Sequence, residues 1–158
     1  MYSKIFLLLS LSATLFFASC KKEFTVENEK VSGSMQFTQK SFTPVAFDNT
    51  GKPTKAKIVQ DVSGSLSTIG QLTTTLSVDF DLVTNKSGEV ITSYIDKDGD
   101  KINTTSSSVG SATGLTISET ITGGTGKFSK ITGSGVYFVK LDFATGNGTG
   151  TLEWTVTY

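Results

Sequence analysis

Few residue types in this chain could carry chemistry, and carboxylates and tyrosines are the main candidates. The 158 residues include no histidine, no arginine and one cysteine. Without histidine, Ser-His-Asp and Cys-His catalysis are excluded, and the commonest zinc ligand is missing. Without arginine, the usual bidentate clamp for phosphate or carboxylate ligands is missing too. Acid–base chemistry would therefore have to use Asp, Glu, Lys or Tyr.

Glu119 is the most interesting carboxylate, because the residues on its side of a predicted strand are apolar. They are Leu115, Ile117 and Ile121. Alternate residues of a strand share a face, so Glu119 is expected to point into a core. A buried acid without a partner would have a raised pKa and could act as a general acid or bind a polar ligand group. In a structural barrel, its replacement by leucine would be neutral or stabilising. A register shift, or a position at an open mouth, would leave the acid solvated. Gln60 and Tyr94 are further candidates to line the same interior.

The segment 96–100, Asp-Lys-Asp-Gly-Asp, could bind a hard cation through alternate carboxylates. An EF-hand loop, however, needs glycine at its sixth position and glutamate at its twelfth. Here Gly99 is fourth and Ser107 is twelfth. Asp and Gly are also common hairpin residues. We therefore predict a turn here, with no metal and no cofactor.

A glycine-rich segment, Gly-Gly-Thr-Gly-Lys-Phe at 123–128, is the sharpest motif of the chain. A phosphate-binding loop would need a helix directly after it, whereas this segment joins two strand patterns. We expect its glycines to supply a positive φ and close backbone approach at a sharp corner, and the phenylalanine to plug a barrel end. The structural residues of this corner are Gly123, Gly124, Gly126, Phe128 and Gly133.

The elements that would position these residues are strands. Thr, Val, Ile and aromatic residues alternate with polar ones, and glycines punctuate the segments. Eight strands are predicted, at 31–38, 56–66, 72–83, 89–95, 101–107, 115–122, 134–143 and 149–158, with a long link holding Pro44 and Pro53 after the first. An open sheet would expose two edges, and closure removes them. The prediction is an all-β, eight-stranded, antiparallel up-and-down barrel, which has room for side chains or one small ligand.

The glycine-rich corner also resembles the Gly-Gly-x-Gly-x-Phe turn of the allene oxide cyclase-like barrels, a group that includes the dirigent proteins. The resemblance is strongest over residues 115–135. It implies an eight-stranded antiparallel barrel. It implies no activity, because dirigent pockets use acidic residues together with arginine, which this chain lacks, and the cyclase pocket residues have no match here.

The N-terminal segment predicts where the protein resides. Residues 1–19 have a positive start at Lys4, an apolar run and small residues at the end, as in a secretory signal. Phe-Ala-Ser-Cys at 17–20 looks like a bacterial lipobox, which implies acylation of Cys20, a palmitate-type lipid anchor. The predicted domains are a signal peptide (1–19), a lipidated N-terminus and tether (20–30) and the barrel (31–158). By resemblance to enteric lipoproteins, Lys21 in place of Asp implies the outer membrane of a bacterial envelope rather than the inner one.

Composition and leader together favour a lipid-anchored envelope protein. The membrane is its expected partner, through Cys20. Basic and acidic residues balance, 14 against 14, so nucleic acid is not expected as a partner. The leading expectation is a non-catalytic binding or structural module, with a small apolar ligand as one option. The alternatives are an isomerase or cyclase that uses an acid inside the barrel, and a surface adhesion module.

Overall fold

A computed structural model describes residues 25–158; the predicted signal peptide and Cys20 lie outside the described residues. The described chain is built almost wholly of strands, joined by turns and one short 3-10 turn at Gly126–Phe128. The strands are β1 (Glu29–Phe47), β2 (Pro53–Leu66), β3 (Gly70–Asp81), β4 (Lys86–Ser87), β5 (Val90–Asp96), β6 (Lys101–Gly110), β7 (Gly114–Gly124), β8 (Thr132–Asp142) and β9 (Asn147–Thr157). Within residues 25–158, no helix is long and apolar enough to cross a membrane.

The strands form one closed antiparallel sheet. Strands that follow each other in the chain are paired, except β4 with β5, and β1 pairs with β9 to close the circle. The two-residue β4 and the following β5 occupy one position between β3 and β6, so the barrel has eight strand positions. The predicted all-β, eight-stranded antiparallel barrel is therefore confirmed.

The prediction of a long link around the two prolines is wrong. β1 continues to Phe47, and β2 already begins at Pro53. Pro44 lies opposite Ala56, and the register shifts directly after it and also between Gln39 and Ser41. Because proline cannot donate to a ladder, it is tolerated where a bulge interrupts the pairing. The bulges therefore let the strand pass through a segment that looks like a loop in the sequence.

The sheet is parted along one line, between β3 and β5. Ladder pairs join these strands only near one end, where Leu72 and Thr73 face Asp96 and Ile95. Near the other end, β3 pairs instead with the short β4. Residues 74–79 of β3 have no ladder partner on that side. We call this parted region the seam.

The barrel has a packed end and an open end. The packed end holds the largest fully buried side chains, among them Trp154, Met35, Leu152 and Ile102. Phe128, from the 3-10 turn, is only 6% exposed and belongs to this core. Gly126 in the same corner has a φ of 54°, and an added Cβ there would overlap the Asp100 carboxylate.

Candidate functional site

The open end of the barrel contains a cavity of about 580 Å³. Pockets for small molecules are typically about 300–1,000 Å³. The inward residues of β1, β2 and β3 give this cavity an apolar wall, made of Phe37, Phe42, Ile58, Leu76, Val78 and Phe80. They point inward because strand residues alternate between faces, as the sequence pattern of β3 predicts.

Two tyrosine hydroxyls converge at the inner end of the cavity. Tyr94 on β5 and Tyr137 on β8 both line the cavity, and both are almost completely buried, at 1% and 4% exposure. Their hydroxyl oxygens are 3.4 Å apart. The Tyr137 ring stacks on Phe37 at a centroid distance of 6.3 Å, and the Tyr94 ring meets Trp154 edge-on at 5.7 Å. Packing therefore fixes both rings, and we call this feature the tyrosine pair.

Glu119 lies beneath the tyrosine pair and is 3% exposed. Its Oε1 accepts hydrogen bonds from the Tyr94 hydroxyl at 3.1 Å and from the Thr104 hydroxyl at 2.7 Å. Its Oε2 accepts a third from the indole Nε1 of Trp154 at 3.1 Å. Glu119 is therefore buried but not without partners. Three side chains from three strands satisfy the carboxyl group.

Gly135 explains how Trp154 can reach Glu119 across an intervening strand. Glu119 on β7 is paired with Gly135 on β8, which is paired in turn with Trp154 on β9. An added Cβ at Gly135 would overlap the Trp154 indole. A missing side chain at the middle strand thus leaves the space through which the indole N–H contacts the carboxyl group.

Burial dominates the ionisation of this cluster. Desolvation raises the pKa of Glu119, and the bonds from Thr104, Tyr94 and Trp154 oppose that rise. Desolvation also raises the pKa of Tyr94 and of Tyr137 well above the usual value, helped by the nearby Glu119 charge. The tyrosines therefore stay protonated at neutral pH and act as hydrogen-bonding hydroxyls rather than as phenolates.

Of the three candidate polar residues Glu119, Tyr94 and Gln60, the structure places two at the cavity. Tyr94 and Gln60 line the cavity, and the Gln60 amide lies 3.5 Å from the Gly146 carbonyl at the open end. Glu119 reaches the cavity only through Tyr94. The sequence pattern does not predict a polar role for Tyr137, because a place on an apolar strand face indicates packing alone. The one signal for a role of the Tyr137 hydroxyl is that the strand of Tyr137 follows that of Glu119 in the chain, so the two strands are expected to pair.

The segment 96–100 forms a turn whose charge is neutralised from within the chain. Asp96 Oδ1 accepts the backbone N–H groups of Asp98 and Asp100. The Lys127 ammonium pairs with Asp96 Oδ2, and with Asp98 at 3.1 Å. The hydrogen bond from Lys127 lowers the pKa of Asp96. A lysine thus sits where a cation would have to bind. Among residues 25–158, no group of three or more potential metal ligands was found.

Comparisons with known proteins extend to the fold alone. No protein-family profile and no curated protein sequence matches the chain. Among solved structures, the barrel is similar to a pterocarpan synthase dirigent protein. The TM-score is 0.59 over 84% of this chain and 92% of that chain, at 12% sequence identity. The chain therefore has a dirigent-like barrel fold, in agreement with the resemblance of its glycine-rich corner.

Proposed function

We propose that this protein is a lipid-anchored bacterial envelope protein whose barrel binds a small, mostly apolar molecule. The observation that carries the proposal is the cavity of about 580 Å³ with the tyrosine pair at its inner end. A structural barrel would have this volume filled with side chains. Here the side chains fill only one end.

The cavity suits a ligand with an apolar body and a polar tip. Burial of apolar ligand surface against Phe37, Ile58 and Leu76 would supply the affinity. The Tyr94 hydroxyl donates its hydrogen bond to Glu119, so the Tyr94 oxygen can accept a hydrogen bond from the Tyr137 hydroxyl. Tyr137 can then accept a hydrogen bond from a ligand hydroxyl, or turn its own hydroxyl toward a ligand carbonyl.

The predicted anchor and the mouth of the cavity would lie at opposite ends of the barrel. Val26 exchanges two backbone hydrogen bonds with Tyr158 at the packed end. Six residues from Cys20 to Val26 span at most about 20 Å. From Glu29 to Phe42, β1 rises about 30 Å along the barrel axis, given about 3.3 Å per residue and a strand tilt of about 40°. A lipid at Cys20 would therefore hold the packed end near the membrane and direct the mouth away from it.

An isomerase or cyclase is the second candidate, and the link between Tyr94 and Glu119 is the observation in its favour. A buried acid with a raised pKa can serve as a proton reservoir. Glu119 does not line the cavity, however, so any proton would have to pass through a tyrosine hydroxyl. Binding requires no such transfer, and we therefore place it first.

The test uses a neutral apolar dye, N-phenyl-1-naphthylamine, which fluoresces when it leaves water. We expect saturable binding to the purified protein. Val78→Trp would fill the cavity and abolish that binding. Val136→Trp is the matched control, because Val136 is 56% exposed on β8 and does not line the cavity. Absence of saturable binding by the wild type, or equal binding by both variants, would contradict the proposal.

A further inference from the structure

One wall of the cavity carries hydroxyl groups that the protein itself does not use. Thr92 on β5 and Ser108 on β6 face inward and line the cavity. They are 4% and 8% exposed. Within residues 25–158, neither side-chain hydroxyl makes a hydrogen bond, although the Ser108 backbone N–H donates to Ser87 Oγ at 2.8 Å. The oxygens of both hydroxyls are open to the cavity rather than buried within the protein, so these two groups are available to a ligand.

The hydroxyl wall and the aromatic wall face each other. β1 lies four strand positions round the barrel from β6, and it presents Phe37 and Phe42 to the cavity. Thr92 also lies beside the seam, where β3 offers no ladder partner. A ligand between these walls would contact hydroxyls along one edge and apolar carbon on the other side.

The lining of the cavity favours a neutral ligand over an anionic one. Its lining residues include no lysine, and the chain has no arginine. The one charged residue of the lining is Asp142, near the mouth, whose carboxylate already accepts the Ala144 N–H and the Thr145 hydroxyl. A buried ligand carboxylate or phosphate would find no cation, and an unpaired buried charge is very costly.

We infer that the ligand is a neutral amphiphile with at least two oxygen groups, one at the tyrosine pair and a second at Thr92 and Ser108. The inference rests on the proposed binding function and specifies the class of ligand. It requires that the two hydroxyls serve binding and not folding.

Two variants separate these roles. Thr92→Val and Ser108→Ala remove the hydroxyls and nearly preserve shape. Because neither hydroxyl bonds to a protein group, its removal is expected to leave the melting temperature unchanged or to raise it. The matched control is Thr105→Val, on the same strand as Ser108 but absent from the cavity lining. A melting temperature lowered by both cavity variants but not by the control would show a structural role and overturn the inference.

The binding test compares 1- and 2-naphthol, four naphthalenediols (1,3-, 1,5-, 2,6- and 2,7-) and 1-naphthoate by calorimetric titration. A net hydrogen bond changes affinity by roughly two- to tenfold. We expect the best diol to bind the wild type tighter than either naphthol by about that factor. The Thr92→Val, Ser108→Ala double variant should lose this advantage and keep the naphthol affinity, and naphthoate should bind weakest.

The outcomes distinguish the inference from the function on which it rests. Failure of the dye and of every naphthalene compound to bind would refute the binding function itself. Three results would refute the ligand class alone, provided that the dye binds. They are no preference for any diol, a diol preference that persists in the double variant, and naphthoate binding as tight as naphthol binding.

Discussion

Replacement of Glu119 by leucine is expected to destabilise the barrel, because three buried donors would lose their acceptor. The donors are the hydroxyls of Tyr94 and Thr104 and the indole of Trp154. Each buried donor left unsatisfied costs about 1–3 kcal/mol. Leucine removes the desolvation cost of the acid in return. We therefore expect the free energy of unfolding to fall by about 2–5 kcal/mol.

Glu119→Gln is the matched variant, since it keeps the shape and one acceptor oxygen. The amide oxygen can accept from Tyr94 and Thr104, as Oε1 does, but the amide nitrogen then faces the Trp154 N–H. The hydrogen bond from the Trp154 indole is lost, so we expect the free energy of unfolding to fall by about 1–3 kcal/mol. The order of stability should be wild type, then Gln, then Leu, as measured by urea denaturation near pH 5. A Leu variant as stable as the wild type would refute this account of the cluster.

The pH dependence of the same variants gives an independent check. The pKa of Glu119 is raised above its ordinary value of 4.5 by burial. An unfolded chain therefore releases this proton at lower pH than the folded one. The stability that Glu119 contributes is present in full below about pH 4.5 and is lost as pH rises through the folded pKa. The difference between wild type and Glu119→Gln should shrink over that window, and a difference that grows with pH would contradict the raised pKa.

Three further predictions concern the anchor, the corner and the acidic turn. Cys20→Ala should move the protein from the detergent phase to the aqueous phase, and equal partitioning of both forms would refute lipidation. Gly126→Val should cost more than about 1–2 kcal/mol in urea denaturation, because φ is positive there. Gly88→Ala, with open space around it, is the near-neutral control, and equal effects would show that the corner does not require glycine at position 126. Millimolar calcium should leave the melting temperature unchanged, because Lys127 already pairs with Asp96 and Asp98; a rise abolished by Asp98→Asn would show a metal site.

The fold could be predicted from the sequence because strands and corners are marked by local residue patterns. Period-two alternation in β3 and β9 assigns each residue to a face, and glycines mark the corners. The proline-bearing end of β1 could not be predicted, because its bulges depend on the partner strand. The partners of Glu119 could not be predicted either. They come from β5, β6 and β9, and the contact with Trp154 depends on the register that places Gly135 between the two residues.

Side-chain size decreases toward the mouth along the inward faces of two strands. On β9 the inward residues change from Trp154 and Leu152 to Gly150 and Gly148, but these glycines do not line the cavity, because Val139 and Leu141 of β8 pack against them.

On β6 the inward residues likewise change from Ile102 to Ser108. The small residues of β6 leave unfilled part of the volume that Ile102 occupies at the packed end, since a barrel of eight strands is otherwise just wide enough to be filled by its own side chains. Glu119 and the tyrosine pair lie at the boundary between the packed end and the cavity. Side chains of the barrel interior satisfy the carboxyl group of Glu119, and the Tyr137 hydroxyl faces the cavity. The tapered packing and the unused hydroxyls of the wall thus arise from the same inward positions, and they favour a binding site over a purely structural barrel.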